Sequence, residues 1–135
     1  QPHVVSEIRL GALRRSVAWD APEARVLQEA TSEEITRMLV RVVDEALLGG
    51  TVKMDRYSIA AKTGTAQIAS PYGGYYDDRF LHSFFGYFPA HDAKFLVFLF
   101  VLEPQNVRYA SQTLTEPFMN LTKFLIHYFS IPPDR

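Results

Sequence analysis

The sequence has no cysteine. Disulfides, thiolate metal sites and cysteine nucleophiles are therefore excluded together, and cysteine usage fits a reducing or an oxidising compartment equally. A charge imbalance is missing as well, since 14 basic residues stand against 15 acidic ones for a net charge of -1. Such a chain has no field to draw in nucleic acid or an anionic membrane, and binding to polyanions is not expected. Long hydrophobic runs are also lacking. The longest, Phe95 to Leu102, falls far short of the ~20 residues a spanning helix needs. The polar N-terminus shows no signal-peptide pattern. No membrane segment is expected in this chain, and any anchor or export signal would lie in sequence outside it.

What is present is an ordinary globular composition, 47% hydrophobic and 21% charged over 135 residues. That length suits one domain, or a piece of one, burying roughly two-thirds of its unfolded surface. Residues 1–30 mix short apolar runs (Val4-Val5, Ile8, Leu10, Val17) with Gly11, Pro22 and clustered arginines, which reads as irregular strands and loops. Trp19, the one tryptophan, sits beside a turn at Asp20-Ala21-Pro22 and is expected to serve packing.

From residue 31 to 49 the pattern turns helical. Thr31 and Glu34 read as a capping box. Ile35, Met38, Leu39, Val42, Val43, Ala46 and Leu47 form one apolar face, and Gly49-Gly50 supplies a left-handed stop. Arg37, Arg41, Asp44 and Glu45 fall on the other side, as a solvated face. Three antiparallel strands are expected over 57–103: Tyr57 to Ile68, Phe80 to Phe88 and Lys94 to Leu102, the last two joined as a hairpin through Pro89 to Ala93. The loop after the first strand contains Ser70, Pro71, Gly73 and Gly74. With Tyr72, Tyr75 and Tyr76 it makes an aromatic segment that suits either a cleft rim or a plain surface loop. A final helix over 115–129 is expected to be capped by Thr115, with Glu116 and Pro117 in its first turn. The order helix, three strands, helix predicts an α+β fold, an antiparallel sheet flanked by helices.

The third strand reads Phe95-Leu96-Val97-Phe98-Leu99-Phe100-Val101-Leu102. It is apolar at every position, so both faces should be covered and the strand should lie inside a sheet. As the last strand of its hairpin it would leave one long apolar edge, which invites association. A further strand and a helical layer are expected to come from sequence absent here.

The candidate chemistry lies at Lys62-Thr63-Gly64-Thr65. On a strand Lys62 and Gly64 share one face while Thr63 and Thr65 share the other. A mid-strand glycine weakens the strand and marks close approach by a ligand or another backbone. Taken alone, the four residues are also compatible with an edge strand carrying a solvent-exposed lysine.

The wider match Ala61-Lys62-Thr63-Gly64-Thr65-Ala66-Gln67, with His82-Ser83-Phe84-Phe85-Gly86-Tyr87-Phe88-Pro89-Ala90 and a strand stopping at Glu103-Pro104, resembles the class B penicillin-binding proteins, the peptidoglycan transpeptidases of cell division and elongation. Pro2-His3-Val4-Val5 through the Thr31 helix extends the resemblance over essentially the whole chain, as a C-terminal portion of the transpeptidase domain within a serine β-lactamase-like fold. Ala61 stands where the family often has glycine. The larger departure is an absence. Gly50, Ile59, His91 and Asn120 precede the four lysines by three places, so there is no serine-x-x-lysine. Pro104 and Phe118 precede Asn106 and Asn120 by two, so there is no serine-x-asparagine.

The resemblance implies a peptidoglycan stem peptide, or a β-lactam mimicking it, lying along the Lys62–Thr65 strand. The Thr65 backbone N–H would be half of an oxyanion hole. The Thr63 and Thr65 hydroxyls would bind a carboxylate, Lys62 would supply positive potential and relay a proton, and Gly64 would leave room for the acyl group. It also implies an extracytoplasmic location, no cofactor, and a missing N-terminal half of the domain as partner. A DD-carboxypeptidase or β-lactamase remains open as a relative, and a non-catalytic binding module as an alternative.

Other constellations are poor. His82 and Ser83 point to opposite faces and cannot form a nucleophile pair, which leaves His82 as a packing or rim residue. His3, His91 and His127 lack metal-ligand spacing. Gly49-Gly50 and Lys62-Thr63 are too far apart for a phosphate loop.

Overall fold

A computed structural model describes residues 5–17 and 26–135. Trp19 with its turn, His3 and the Pro2–Val4 part of the resemblance lie outside the described residues. The elements are β1 (Glu7–Leu10), β2 (Leu13–Ser16), α1 (Glu29–Arg41), β3 (Ala60–Ala69), β4 (Tyr75–Phe88), β5 (Phe95–Leu102) and α2 (Ala110–Tyr128). Strands β1 and β2 form a separate exposed hairpin. Strands β3, β4 and β5 form an antiparallel sheet in that order, with β4 in the centre.

Helix α1 begins two residues before the expected Thr31 cap. Gln28 occupies the cap position and no side chain caps it. The Gln28 carbonyl already accepts the Ser32 N–H at 3.1 Å, so the first turn closes before Thr31 is reached. Glu34 turns instead to Arg37. The apolar face is also narrower than its periodicity implies. Thr36, Val43 and Leu47 are buried, whereas Ile35 and Met38 are exposed. The reason is contact on one line only: the Thr36 hydroxyl, 2.8 Å from the Tyr87 hydroxyl, meets the sheet at the start of β3 and end of β4.

After Arg41 the helix widens through a π-turn at Val42–Ala46 and tightens over Leu47–Gly50, where the backbone turns left-handed from Leu48 onward. Asp44 is not part of a solvated face. Its carboxylate is largely buried and takes two bonds from the Arg135 guanidinium, one at 2.9 Å. That hydrogen bond holds Arg135 above its ordinary pKa, against the opposing effect of partial burial. The same C-terminal segment places Asp134 on the Ser58 N–H at 2.8 Å and on the Ser58 hydroxyl, and lets the Tyr57 hydroxyl donate to the Ile131 carbonyl at 3.1 Å. The chain end therefore ties the run into β3 to the end of α1. Nothing in local periodicity announced this.

Strand β3 starts at Ala60 instead of Tyr57, because residues 57 and 58 are held by these C-terminal bonds. Strand β4 starts at Tyr75 instead of Phe80. Tyr75 and Tyr76 therefore belong to the strand, Tyr75 pairing with Ala69 beyond an irregularity between Gln67 and Ala69, and of the three tyrosines only Tyr72 is in the loop.

One sheet face packs under α2. Residues opposite one another in an antiparallel pair share a face, so Ala61, Thr65, Phe84, His82, Gly86, Val97 and Leu99 look the same way. The Phe84 and Phe118 rings stack at 4.4 Å between their centroids. Gly86 is required beneath α2: a Cβ there would lie 2.5 Å from the Phe118 ring and 2.8 Å from the Ala61 Cβ. Helix α2 itself begins at Ala110, well before the expected Thr115 cap, and Pro117 sits inside it. Its first turn is closed by the Tyr109 N–H donating to the Gln112 side chain at 3.3 Å and by a tertiary bond from Ala110, described below. Thr115 is buried and donates to the Ser111 carbonyl at 2.7 Å.

The other face is covered by α1 at one end only. Strand β5 pairs with β4 alone among the described residues, and is there an edge strand, not an interior one. Leu96, Phe98, Phe100 and Leu102 are 70%, 58%, 65% and 64% exposed, although the sequence demands cover on both faces. Among the described residues nothing packs over them.

Candidate substrate strand

Lys62, Thr63, Gly64 and Thr65 lie mid-strand in β3, opposite Phe85, Phe84, Ser83 and His82. Among the described residues strand β3 pairs only with β4, which leaves its other edge open there. Which peptide groups face that edge follows from the phase of the ladder. The Glu103 N–H donates to the Phe80 carbonyl at 2.8 Å, directing the even-numbered residues of β4 toward β5 and the odd-numbered ones toward β3. Ser83 and Phe85 therefore bond with Gly64 and Lys62, and the peptide groups of Ala61, Thr63 and Thr65 point to the open edge. The Ala90 N–H bond to the Ser58 carbonyl, 2.9 Å, has the same phase.

Alternation places Lys62 and Gly64 on the sparsely covered face and Thr63 and Thr65 on the α2 side, as the spacing requires. The Lys62 ammonium is exposed and donates to the Thr63 carbonyl at 2.6 Å. Gly64 faces a crowding cross-strand neighbour: a Cβ there would lie 2.5 Å from the Ser83 Oγ, which would have to rotate away. Thr63 is half-buried. Thr65 is exposed, and its Oγ1 accepts the Ala110 N–H from the first turn of α2 at 3.0 Å.

His82 is fully buried, so it packs and is not a rim residue. Its ring nitrogens lie 2.9 Å from the Thr113 Oγ1 and 3.0 Å from the Arg108 carbonyl. Beyond the far end of the strand, Arg79 pairs with Glu103 and stacks 4.4 Å over the Tyr76 ring. The Glu103 hydrogen bond holds Arg79 above its ordinary pKa, with desolvation opposing. A groove of about 560 Å³ lies elsewhere, between α1 and the β4–β5 turn, lined by Thr36, Tyr87, His91, Lys94 and Leu96, and includes none of the residues Lys62–Thr65. No group of three His, Asp or Glu that could hold a metal occurs among the described residues, and no helix there is long and apolar enough to cross a membrane.

Ser83, His82, Thr113 and Ala110 surround the strand but carried no separate signal in the sequence as its neighbours. Only the strand register and the position of α2 bring them to it.

Chemically, the arrangement offers an open strand edge with two outward peptide groups at Thr63 and Thr65, one cation and two hydroxyls. It contains no activated nucleophile. The family model for the penicillin binding protein transpeptidase domain matches residues 1–122. A peptidoglycan D,D-transpeptidase FtsI homolog of Nephroselmis olivacea is 33% identical over 112 residues, which are 82% of this chain and 16% of that protein. Stage V sporulation protein D of Bacillus subtilis is 30% identical over 118 residues, or 86% of this chain and 18% of that one. Penicillin binding protein 3 of Mycobacterium tuberculosis, solved in complex with ampicillin, shares the fold with a TM-score of 0.67, at 24% identity, over 90% of this chain and 28% of its own. The chain spans under a fifth of the length of these two curated relatives. By sequence and by fold, the chain belongs to the penicillin binding protein transpeptidase domain family, as a class B member.

Proposed function

We propose that this chain is the C-terminal, substrate-strand part of a serine DD-transpeptidase that cross-links peptidoglycan stem peptides and is acylated by β-lactams. The observation that carries the reading is the open edge of β3, with Lys62, Thr63, Gly64 and Thr65 at its middle. A stem peptide or a penicillin lies along this edge as an added strand, held by main-chain hydrogen bonds. The Thr65 N–H is one donor of the oxyanion hole, and the N–H of a serine supplied by the N-terminal half of the domain is the other. The Thr63 and Thr65 hydroxyls hold the substrate carboxylate, Lys62 supplies positive potential and relays a proton, and Gly64 gives the acyl group room.

The chain alone is inactive in this reading, because it holds neither the serine-x-x-lysine nor the serine-x-asparagine motif. Losing one oxyanion donor typically costs about 10²- to 10³-fold in rate, and here the nucleophile is lost with it. The protein works outside the cytoplasmic membrane, in the periplasm or on the outer face, anchored by sequence beyond this chain, and serves wall synthesis in cell shape or division. The ampicillin bound by the Mycobacterium tuberculosis relative supports the β-lactam part of the proposal.

The test is a fluorescent penicillin followed by intact mass, on the chain alone and with the N-terminal half of the domain supplied separately. Labelling is expected only in the second case, on a residue of the supplied half. Covalent labelling of the isolated chain would overturn the reading. A second reading, a structural module that pairs through its apolar edge, is favoured by the exposed side chains of β5. It predicts a stable complex that never labels.

A further inference from the structure

We infer that His82 is a positioning residue for the Thr65 end of the substrate strand; the inference rests on the transpeptidase reading of Lys62–Thr65. His82 stands directly opposite Thr65 in the β3–β4 register, on the same face of the sheet, and is fully buried. Both of its ring nitrogens are committed to one short segment, Arg108 to Thr113, which leads into and opens α2. Nε2 lies 3.0 Å from the Arg108 carbonyl. A carbonyl only accepts, so Nε2 carries the hydrogen. In the neutral ring Nδ1 is then the acceptor, and the Thr113 hydroxyl, 2.9 Å away, donates to it. The alternative acceptor for that hydroxyl proton is the Ala110 carbonyl at 3.2 Å.

Between these two grips sits Ala110. It is fully buried, and its N–H donates to the Thr65 Oγ1 at 3.0 Å. One connected path therefore runs from His82 through Arg108 and Thr113 to Ala110, and from there to Thr65. Its chemical consequence is specific. Because the Thr65 oxygen already accepts a protein N–H, its own proton is left for an outside acceptor, and the hydroxyl is oriented as a donor toward a ligand carboxylate. The same bond restrains the Thr65 backbone, whose N–H faces the open edge. A phenylalanine would fill the site without holding the Arg108–Thr113 segment.

The experiment compares His82→Phe, His82→Gln and Thr113→Val with the wild type. In the 135-residue chain, ring ¹⁵N shifts of His82 should report the Nε2–H tautomer. The Ala110 amide should exchange about threefold to tenfold faster in His82→Phe, the loss expected for one hydrogen bond. In the complex with the N-terminal half, the acylation rate at saturating penicillin should fall about tenfold to hundredfold, as for a small misplacement of a reacting group. Apparent affinity should change far less. His82→Gln, able to donate to Arg108 and accept from Thr113, should restore most of the rate. Thr113→Val cuts the path from the helix side and should mimic His82→Phe, which covers the case that His82→Phe does not fold. A His82→Phe protein that melts earlier yet keeps wild-type Ala110 exchange and acylation would overturn the inference, as would a His82→Gln protein no better than His82→Phe. An unlabelled wild-type complex would sink the transpeptidase reading instead. Ala110 exchange would then decide by itself whether His82 positions the strand.

Discussion

The two outer strands of the sheet, β3 and β5, each pair with β4 and, among the described residues, each leave one edge open, yet they are built in opposite ways. Strand β3 carries a lysine, a glycine and two threonines at its centre, with one threonine tied to α2. Strand β5 has no polar residue from Phe95 to Leu102, and its outward row Leu96, Phe98, Phe100 and Leu102 is exposed. Protein edges are normally blunted by charge, proline, short length or a covering element. The first edge is polar enough to stay in water without cover, as the proposed binding of an extended ligand requires. The second has no such protection, and its chemistry calls for permanent cover. An open edge is therefore not one kind of site: its side chains separate a place for a transient strand from a place for a structural neighbour.

That contrast is open to direct attack. The largest effect should come from removing what both strands lean on. Phe118 stacks on Phe84 of β4 beneath the sheet, and Phe118→Ala should cost about 3–5 kcal/mol. Chemical denaturation should then show loss of β3 and β5 together; survival of either would mean that the two strands do not share one core.

A matched pair of glycine substitutions sharpens the difference between a packed position and an approach position. Gly86→Ala drives a methyl against the Phe118 ring, the Ala61 Cβ and the Ala60 carbonyl, none able to swing away, and should cost about 1–3 kcal/mol. Gly64→Ala meets only the Ser83 hydroxyl, which can rotate. Relief of the mid-strand glycine, roughly 0.5–1 kcal/mol, should leave its stability within about 1 kcal/mol of wild type. In the reconstituted complex Gly64→Ala should nonetheless slow penicillin acylation. Equal melting shifts for the two variants, read by calorimetry, would erase the distinction.

The smallest stability effect is expected on β5. Phe98→Lys replaces an exposed ring and should change unfolding free energy by no more than about 0.5 kcal/mol. Sedimentation velocity should show more monomer than in the wild type, and the complex with the N-terminal half should weaken. A wild-type chain that is already monodisperse and monomeric would argue that the β5 edge needs no partner.

Much of the architecture was legible in the sequence. The alternation around Lys62–Thr65 put Lys62 and Gly64 on one face and the threonines on the other, and the uniformly apolar β5 announced a strand that should be covered. Both helices were found, but neither start was right. Thr31 and Glu34 matched a capping box, yet the Gln28 carbonyl closed α1 earlier. Thr115 matched a cap, yet α2 starts where Ala110 meets Thr65. Ile35 and Met38 kept helical spacing but stayed exposed, because periodicity records that a face is apolar and not whether a partner reaches it.

Composition and side-chain period by themselves determined the α+β class, the mid-strand placement of Lys62–Thr65 and the need to cover β5; the candidate chemistry of that strand rested on the wider resemblance. These are local properties, set by which residues alternate along one segment. Tertiary structure alone decided that the outward row of β5 stays exposed, that Ser83 crowds position 64, that Asp134 and Arg135 hold Ser58 and Asp44, and that His82 is linked to Thr65 through the start of α2. Each of these depends on register and on contacts between residues far apart in the chain. A strand or helix pattern repeats along its own length and carries no record of which neighbour it will meet.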